Sequence, residues 1–247
     1  MKNLENKIAI VTGGNSGIGY ATAKQLISDG ATVIITGRRL EAIEKAAKEL
    51  GAIPFLSDQS NLEDINMLHD YIKTKYGKVD ILFINAGITG TTNPIENTSV
   101  ENFDTVMNIN FRGAYFTLSR LIPLLNEGAS VVFLSSNVAT TNFANSSVYQ
   151  ASKAAINSIG KTAAAELAPR KIRVNMVSPG PTHTNVLNKS YDEITAQGIW
   201  DNLSSSIPLN KIGKSEDVAK MVAYLCYDSS SYITGADFLI DGGMVLS

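Results

Sequence analysis

The sequence predicts an α/β protein: a doubly wound, seven-stranded, mostly parallel sheet with helices on both faces. Three observations predict it. Short runs rich in β-branched residues alternate with helical patterns along nearly the whole chain. The first of these runs passes through a glycine-rich turn directly into a helix. The chain has 247 residues, 44% of them hydrophobic, which suffices for one sizeable core and one domain over 1–247.

The elements follow in order. Lys7-Ile-Ala-Ile-Val-Thr12 reads as a buried strand running into Gly13-Gly-Asn-Ser-Gly-Ile-Gly19. A helix follows with Ala21, Ala23, Leu26 and Ile27 inward; Gly30 closes it, and Thr32 to Thr36 forms the second strand. This is a βαβ unit of about 30 residues. Glycines at that spacing let the backbone turn sharply and approach a pyrophosphate at a helix N-terminus. Leu40 to Leu50 reads as a helix, Ile53 to Ser57 as a strand ending at Asp58, and Leu62 to Tyr76 as a helix. Val79 to Ile84 is a strand ending in Asn85-Ala-Gly87, and 88–98 is a polar loop. Helical pattern then runs from about Val100 to Leu125, bent near Gly113. Ser130 to Ser135 and Ile172 to Val177 are strands flanking a further helix, and the second of them ends at Pro179-Gly180. Residues 181–212 break the rhythm and form the one segment long enough to act as a lid. Ser215 to Asp228 is a helix with a Ser-Glu-Asp start, and Asp237 to Ile240 is the last strand.

Composition narrows the function. Net charge is −2 with no long basic run, which argues against nucleic acid as a partner. With one cysteine, Cys226, and two histidines, His69 and His183, an intramolecular disulfide is impossible and a Cys/His zinc site is nearly excluded. No metal site is expected. The N-terminal stretch has no signal-peptide core, and no apolar run approaches the ~18 residues that span a bilayer. A soluble cytoplasmic protein without a membrane partner is the expectation.

The stretch that carries chemistry is Tyr149-Gln-Ala-Ser-Lys153. The following alanines, with Ile156, Ile159 and Leu167 and a stop at Pro169, favour a helix, so Tyr149 and Lys153 share a face. A free tyrosine has a pKa of about 10, and proton exchange near neutrality needs a shift of roughly three units, or about 4 kcal/mol. One ammonium roughly 4 Å away at an effective dielectric of ~20 supplies that much. The bland alternative is a surface tyrosine beside a solvated lysine. In open sheets of this type ligands sit at the carboxyl ends of the strands, so the strand-end residues are the ones to read with this pair.

Taken together, Thr12-Gly-Gly-Asn-Ser-Gly-Ile-Gly19, Asp58, Asn85-Ala-Gly87, Asn110, Ser136, Tyr149-x-x-x-Lys153, Pro179-Gly180 and Tyr232-Ile-Thr-Gly235 … Asp241-Gly-Gly243 resemble the classical short-chain dehydrogenase/reductase family over essentially the whole chain. Two positions depart from it: Ile84, where a second asparagine is common, and Gln59, where an apolar residue usually follows the aspartate. The resemblance implies a Rossmann-type fold and an oxidoreductase that transfers hydride between a nicotinamide dinucleotide and a carbonyl or alcohol. It implies that Tyr149 exchanges the proton with the substrate oxygen. Lys153 depresses the tyrosine pKa and binds the nicotinamide ribose, and Ser136 hydrogen-bonds the substrate oxygen. Asn110 holds a water that relays protons to Lys153. Ser135 competes with Ser136, and Asn108 with Asn110; the thirteen-residue spacing to Tyr149 favours Ser136.

By the same resemblance Gly13, Asn15, Ser16, Gly17, Ile18 and Gly19 cradle the dinucleotide phosphates, and Asn85, Ala86 and Gly87 line the cofactor. Pro179, Gly180, Thr182 and Thr184 complete the site, with Thr184 on the carboxamide and Thr182 as its competitor. Asp58 accepts from the adenine amino group, unless it is only a helix N-terminal carboxylate. His183 reads as a solvent-exposed loop residue and His69 as a surface one. Trp200 either covers the substrate or packs the lid on the body.

Cofactor choice turns on the end of the second strand. An aspartate there accepts from the ribose 2′-hydroxyl and repels a 2′-phosphate. This chain has Gly37 followed by Arg38 and Arg39, so NADP(H) is expected, with Arg38 forking onto the phosphate and Arg39 more solvated. The substrate is expected to be small and free. The alternatives are 3-oxoacyl groups on acyl carrier protein, or a non-catalytic dinucleotide-binding regulator. Carrier protein is acidic, and Pro123 to Ala129 offers it no positive charge; Arg170 and Lys171 are the remaining candidates. Family members pair the helices matching Val100–Leu125 and Val148–Ala168, so a homotetramer is expected, with a dimer as runner-up.

Overall fold

The computed structural model describes residues 3–184 and 192–246. Among the described residues nine strands form: β1 Ile8–Thr12, β2 Thr32–Gly37, β3 Ile53–Leu56, β4 Val79–Ile84, β5 Leu125–Leu134, β6 Arg173–Pro179, β7 Thr182–His183, β8 Gly213–Lys214 and β9 Asp237–Ile240. The α-helices are α1 Gly17–Ser28, α2 Leu40–Leu50, α3 Leu62–Lys75, α4 Val100–Met107, α5 Ala114–Leu121, α6 Ser147–Leu167, α7 Glu193–Ser205 and α8 Ser215–Cys226. The main sheet has seven strands in the order β3-β2-β1-β4-β5-β6-β9, and every pairing is parallel. The chain winds outward from β1 to β3, then crosses back to β4 and winds the other way. The crevice between β1 and β4 is therefore the switch point where such sheets bind ligands.

Side chains alternate across each strand, and the core splits accordingly into two layers. Ile10, Leu82, Phe133 and Met176 face α3, α5 and α6. Their neighbours Val11, Phe83, Val132 and Val177 lie in the other cluster, with Ala23, Ile43 and Val222 from α1, α2 and α8. Such strands are apolar on both sides because helices cover both faces. Gly160 lets α6 approach the sheet closely: a Cβ there would lie 2.3 Å from Met176 Sδ.

Three elements differ from the sequence reading. The bend near Gly113 is a π-helical turn over Asn108–Gly113 between α4 and α5. β5 starts at Leu125 rather than Ser130, with its register to β4 shifting between Val79 and Ile81. Asn126 donates to Asp80 across that irregularity at 2.9 Å, and Gly128 takes φ 77° within it. Third, the two-residue strands β7 and β8 pair with each other, joining the two ends of the segment expected to be a lid. Residues 185–191 of that 181–212 segment lie outside the described residues. Among the described residues no helix is long and apolar enough to cross a membrane.

Candidate active site

The glycine turn and the Asn85 turn are locked together first. Thr12 Oγ1 accepts from the Asn85 and Ala86 amides at 2.9 and 3.0 Å. Asn85 Nδ2 donates to the carbonyls of Thr12 at 2.8 Å and Gly13 at 3.2 Å. A Cβ at Gly19 would fall 2.3 Å from the Gly13 carbonyl and 2.6 Å from Asn85 Nδ2, so only glycine allows the first turn of α1 to sit this close. Gly17, at φ 53°, lies against the Thr184 methyl. Thr12 stands in the motif but not among the expected site residues. Its signal was a hydroxyl at the end of a strand whose other side chains are apolar.

These turns wall a cleft of about 560 Å³. Its lining includes Gly13, Asn15, Ser16, Gly17 and Ile18 from the first turn, Gly37, Arg38 and Arg39 after β2, Asp58 after β3, Asn85, Ala86 and Gly87 after β4, and Leu134 and Thr184. Gly19 lies behind this wall. Arg38 and Arg39 are exposed, and among the described residues neither pairs with a carboxylate. Asp58 lines the cleft while its Oδ1 accepts from the Ser60 amide and hydroxyl at 2.9 and 2.7 Å. Pro179, Gly180 and Thr182 sit beyond the cleft wall. The Pro179 carbonyl accepts from Ser136, Gly180 packs on Asp241, and Thr182 Oγ1 donates to the Gly180 carbonyl at 3.0 Å.

The second cluster is built on α6. Its buried face carries Ser152, Lys153 and Ile156, with half-buried Tyr149 one turn earlier. Lys153 Nζ donates to the Leu134 carbonyl at 2.7 Å and lies 5.8 Å from the Tyr149 ring centre. A Cβ at Gly87 would stand 3.6 Å from that ammonium, so the lysine borders the cleft. Of the two serines that follow β5, Ser136 lies near enough to the Tyr149 phenol to lower its pKa while its hydroxyl reaches the Asn137 side chain and the Pro179 carbonyl at 3.5 Å, whereas Ser135 Oγ donates to the Lys153 carbonyl at 3.4 Å. Asn110 is buried in the π turn and Asn108 is exposed. Asn110 Oδ1 accepts from the Ile88 amide at 2.8 Å, and its Nδ2 donates to the Ile88 carbonyl at 2.8 Å and to Ser152 Oγ at 3.1 Å. Ser152, which the sequence reading passed over, in turn donates to the Tyr149 carbonyl at 2.7 Å.

The electrostatics correct one expectation. Tyr149 was expected to have its pKa depressed by Lys153. Burial instead pushes the phenol above its ordinary value of 10.0, and the Ser136 hydrogen bond only partly opposes this. The same burial lowers Lys153 from 10.5 to about 8. Desolvation disfavours both charged forms, and the ammonium directs a hydrogen bond to the Leu134 carbonyl rather than to the phenol.

His183 and Trp200 stack with ring centres 4.9 Å apart and an interplanar angle of 24°. Trp200 is buried, so within the described residues it packs on His183 at the base of the 181–212 segment. His69 is half-buried and meets Asp70 at 2.9 Å. Among the described residues no group of three or more His, Cys, Asp or Glu side chains could hold a metal ion.

The family model described as enoyl-(acyl carrier protein) reductase matches residues 13–245. An oxidoreductase, asL5, from Sarocladium schorii is 34% identical over 99% of this chain and 98% of its own. The chain belongs to the short-chain dehydrogenase/reductase family. Another relative, the 3-oxoacyl-[acyl-carrier-protein] reductase FabG of Thermotoga maritima, is 35% identical over 98% of this chain and 99% of its own. The solved structure of a doubly substituted Serratia marcescens short-chain dehydrogenase/reductase superposes with a TM-score of 0.89 at 31% identity, covering 98% of this chain and 99% of that one. This short-chain dehydrogenase/reductase is therefore an oxidoreductase of the nicotinamide-dependent kind.

Proposed function

We propose that the protein is an NADP(H)-dependent oxidoreductase interconverting a carbonyl and a secondary alcohol on a small free substrate. One observation carries the reading: Lys153 is buried one helical turn after Tyr149, 5.8 Å from its ring centre and at the border of the glycine-walled cleft, with Ser136 near the phenol. The cradle fits a dinucleotide, because Gly13 and Gly17 leave the cleft wall at the start of α1 bare of side chains, open to the close approach of a pyrophosphate. Bound there, the dinucleotide would supply or accept the hydride. Gly13 to Gly19 would take its phosphates, and Thr184 and Lys153 would border its nicotinamide end.

The chain's own groups manage the proton. Burial keeps the Tyr149 phenol protonated at neutral pH, which suits it to donate from Oη to the substrate oxygen during reduction. Ser136 donates to the same oxygen as negative charge develops on it. Lys153, with a pKa of about 8, still carries its charge at pH 7, and an ammonium has two further donors after the Leu134 carbonyl is served. Asn110 holds Ile88 and Ser152, and Ser152 in turn bonds the Tyr149 carbonyl.

Gly37 and Arg38 support the choice of NADP(H). The glycine removes the acceptor that would repel a 2′-phosphate, and the exposed guanidinium lining the cleft is worth about 1.5–3 kcal/mol per charge-assisted bond. A small free substrate is supported by what occupies the two remaining candidate cations. Arg170 donates to the Ile122 and Leu125 carbonyls, and Lys171 pairs with Glu127 at 2.7 Å. The relative named FabG keeps a carrier-linked 3-oxoacyl substrate as the second reading. We further propose a homotetramer: Val100, Phe103 and Tyr115 on α4 and α5 are large and exposed. A monomer mass by light scattering at micromolar concentration would overturn that assembly.

The test of function is a panel of free aldehydes, ketones and secondary alcohols, with a 3-oxoacyl thioester both free and on carrier protein, assayed with NADP(H) and NAD(H). Turnover of free carbonyls with NADPH is expected. Activity only on the carrier-bound thioester would favour the second reading, and none on any substrate would favour a binding protein.

A further inference from the structure

Gln59 departs from the apolar residue common at its position, and the structure gives it work. Its side chain is buried, 7% exposed, in the turn three residues beyond β3. Nε2 donates to the Ala86 carbonyl at 3.0 Å and to the Ile109 carbonyl at 3.0 Å. Turned over, the amide would set its oxygen against two carbonyl oxygens, so the nitrogen must face this way. Oε1 is then buried without a hydrogen-bond partner, a destabilising arrangement that needs a compensating gain.

The two carbonyls belong to different elements of the site. Ala86 lies in the turn after β4, and Ile109 precedes Asn110 in the π turn. The same π turn rests on Gln59 at its other end, since a Cβ at Gly113 would fall 2.2 Å from the Gln59 carbonyl oxygen. Beyond it, Asn110 grips Ile88 and Ser152, and Ser152 bonds the Tyr149 carbonyl. Hydrogen bonds, joined through the Ile109–Asn110 peptide, thus lead from the turn after β3 to the helix that carries Tyr149 and Lys153.

We infer that Gln59 is a positioning residue, whose amide ties the Asn110 π turn to the Asn85-Ala-Gly87 turn and so sets Asn110 against α6. Its effect on turnover rests on the proposed function, while the tie itself does not.

Two arms test it. Hydrogen exchange on Gln59→Leu should speed the amides of 108–113 by about tenfold while α8 exchanges as before. Wild-type exchange over 108–113 would overturn the tie. In the kinetic arm, Gln59→Leu should lower kcat by about tenfold with substrate KM changed less than about threefold, and the loss should be flat with pH. Gln59→Glu should be as poor at pH 8 and recover towards pH 6. There its buried carboxyl takes a proton and regains one donor to the carbonyls; ionised, it repels them. Should Gln59→Leu not fold, this pH-dependent recovery of Gln59→Glu carries the test alone. A Gln59→Glu profile parallel to wild type, or unchanged kcat in a Gln59→Leu enzyme whose Tyr149→Phe counterpart is dead, would overturn the positioning role. A wild type without dinucleotide-dependent turnover would sink the functional reading, and hydrogen exchange would still decide the tie.

Discussion

The glycine cradle and the Tyr149 cluster face each other across Gly87, yet they are held by different physics. The cradle is a backbone object. Its shape depends on missing Cβ atoms at Gly13, Gly17 and Gly19 and on amide bonds through Thr12 and Asn85. The cluster is a side-chain object, held by desolvation and by hydrogen bonds between residues far apart in the chain. Damage to the first should cost binding and stability together, and damage to the second should cost chemistry with binding largely kept.

The largest effect tests the second half of that contrast. Tyr149→Phe should lower turnover by about 10² or more while leaving dinucleotide affinity nearly unchanged, as removal of a general acid does. Wild-type turnover with any good substrate would mean that the phenol is not the proton donor.

Lys153 comes next and is read through stability. Its fall from 10.5 to about 8 corresponds to roughly 3 kcal/mol against the buried charge. Between those pH values the unfolded chain holds a proton that the folded chain has released. Stability therefore rises with pH through this window, and the cost of the buried ammonium is present below about pH 8. Urea unfolding at about pH 7 and about pH 10 should show the wild type gaining on Lys153→Met as pH rises, and a constant gap would contradict the burial account.

Gly19→Ala tests the cradle. Its Cβ would overlap the Gly13 carbonyl at 2.3 Å, and overpacking of this kind costs about 1–3 kcal/mol. Melting temperature and dinucleotide affinity should fall together, the latter by at least about tenfold in titration calorimetry. A loss of kcat alone would erase the distinction between the two regions.

The smallest effect concerns selectivity. The wild type should prefer NADP(H) over NAD(H) by at least about tenfold in kcat/KM, and Gly37→Asp with Arg38→Ile should reverse this. A Cβ at Gly37 lies 3.0 Å from Asn15 Oδ1, so Asn15 must shift by a few tenths of an ångström to admit the aspartate. An unchanged ratio in the double variant would remove Arg38 as selector.

Much of this was legible from residues close together in the chain. The alternation of strands and helices, the β1–α1 turn and the shared face of Tyr149 and Lys153 depend on spacings of a few residues, where backbone geometry leaves few choices. The bend near Gly113 was also readable, but not its form. That glycine is needed because the π turn docks on the Gln59 carbonyl, a contact 54 positions away that no local pattern encodes. The start of β5 was misplaced for a related reason. Asn126, Glu127 and Gly128 look like loop, and they enter the strand through a register shift against β4 and a bond to Asp80.

The order of residues determined the fold class, the seven-stranded sheet and the shared helix face of Tyr149 and Lys153, because periodicity and glycine spacing are local consequences of covalent geometry. Tertiary structure decided which of two neighbouring serines lies near the phenol and which of two asparagines is buried. It also decided the direction in which Tyr149 and Lys153 titrate. Those outcomes depend on burial and on partners such as Leu134, Ile88 and Gln59, and desolvation does not exist until the chain has closed around the group.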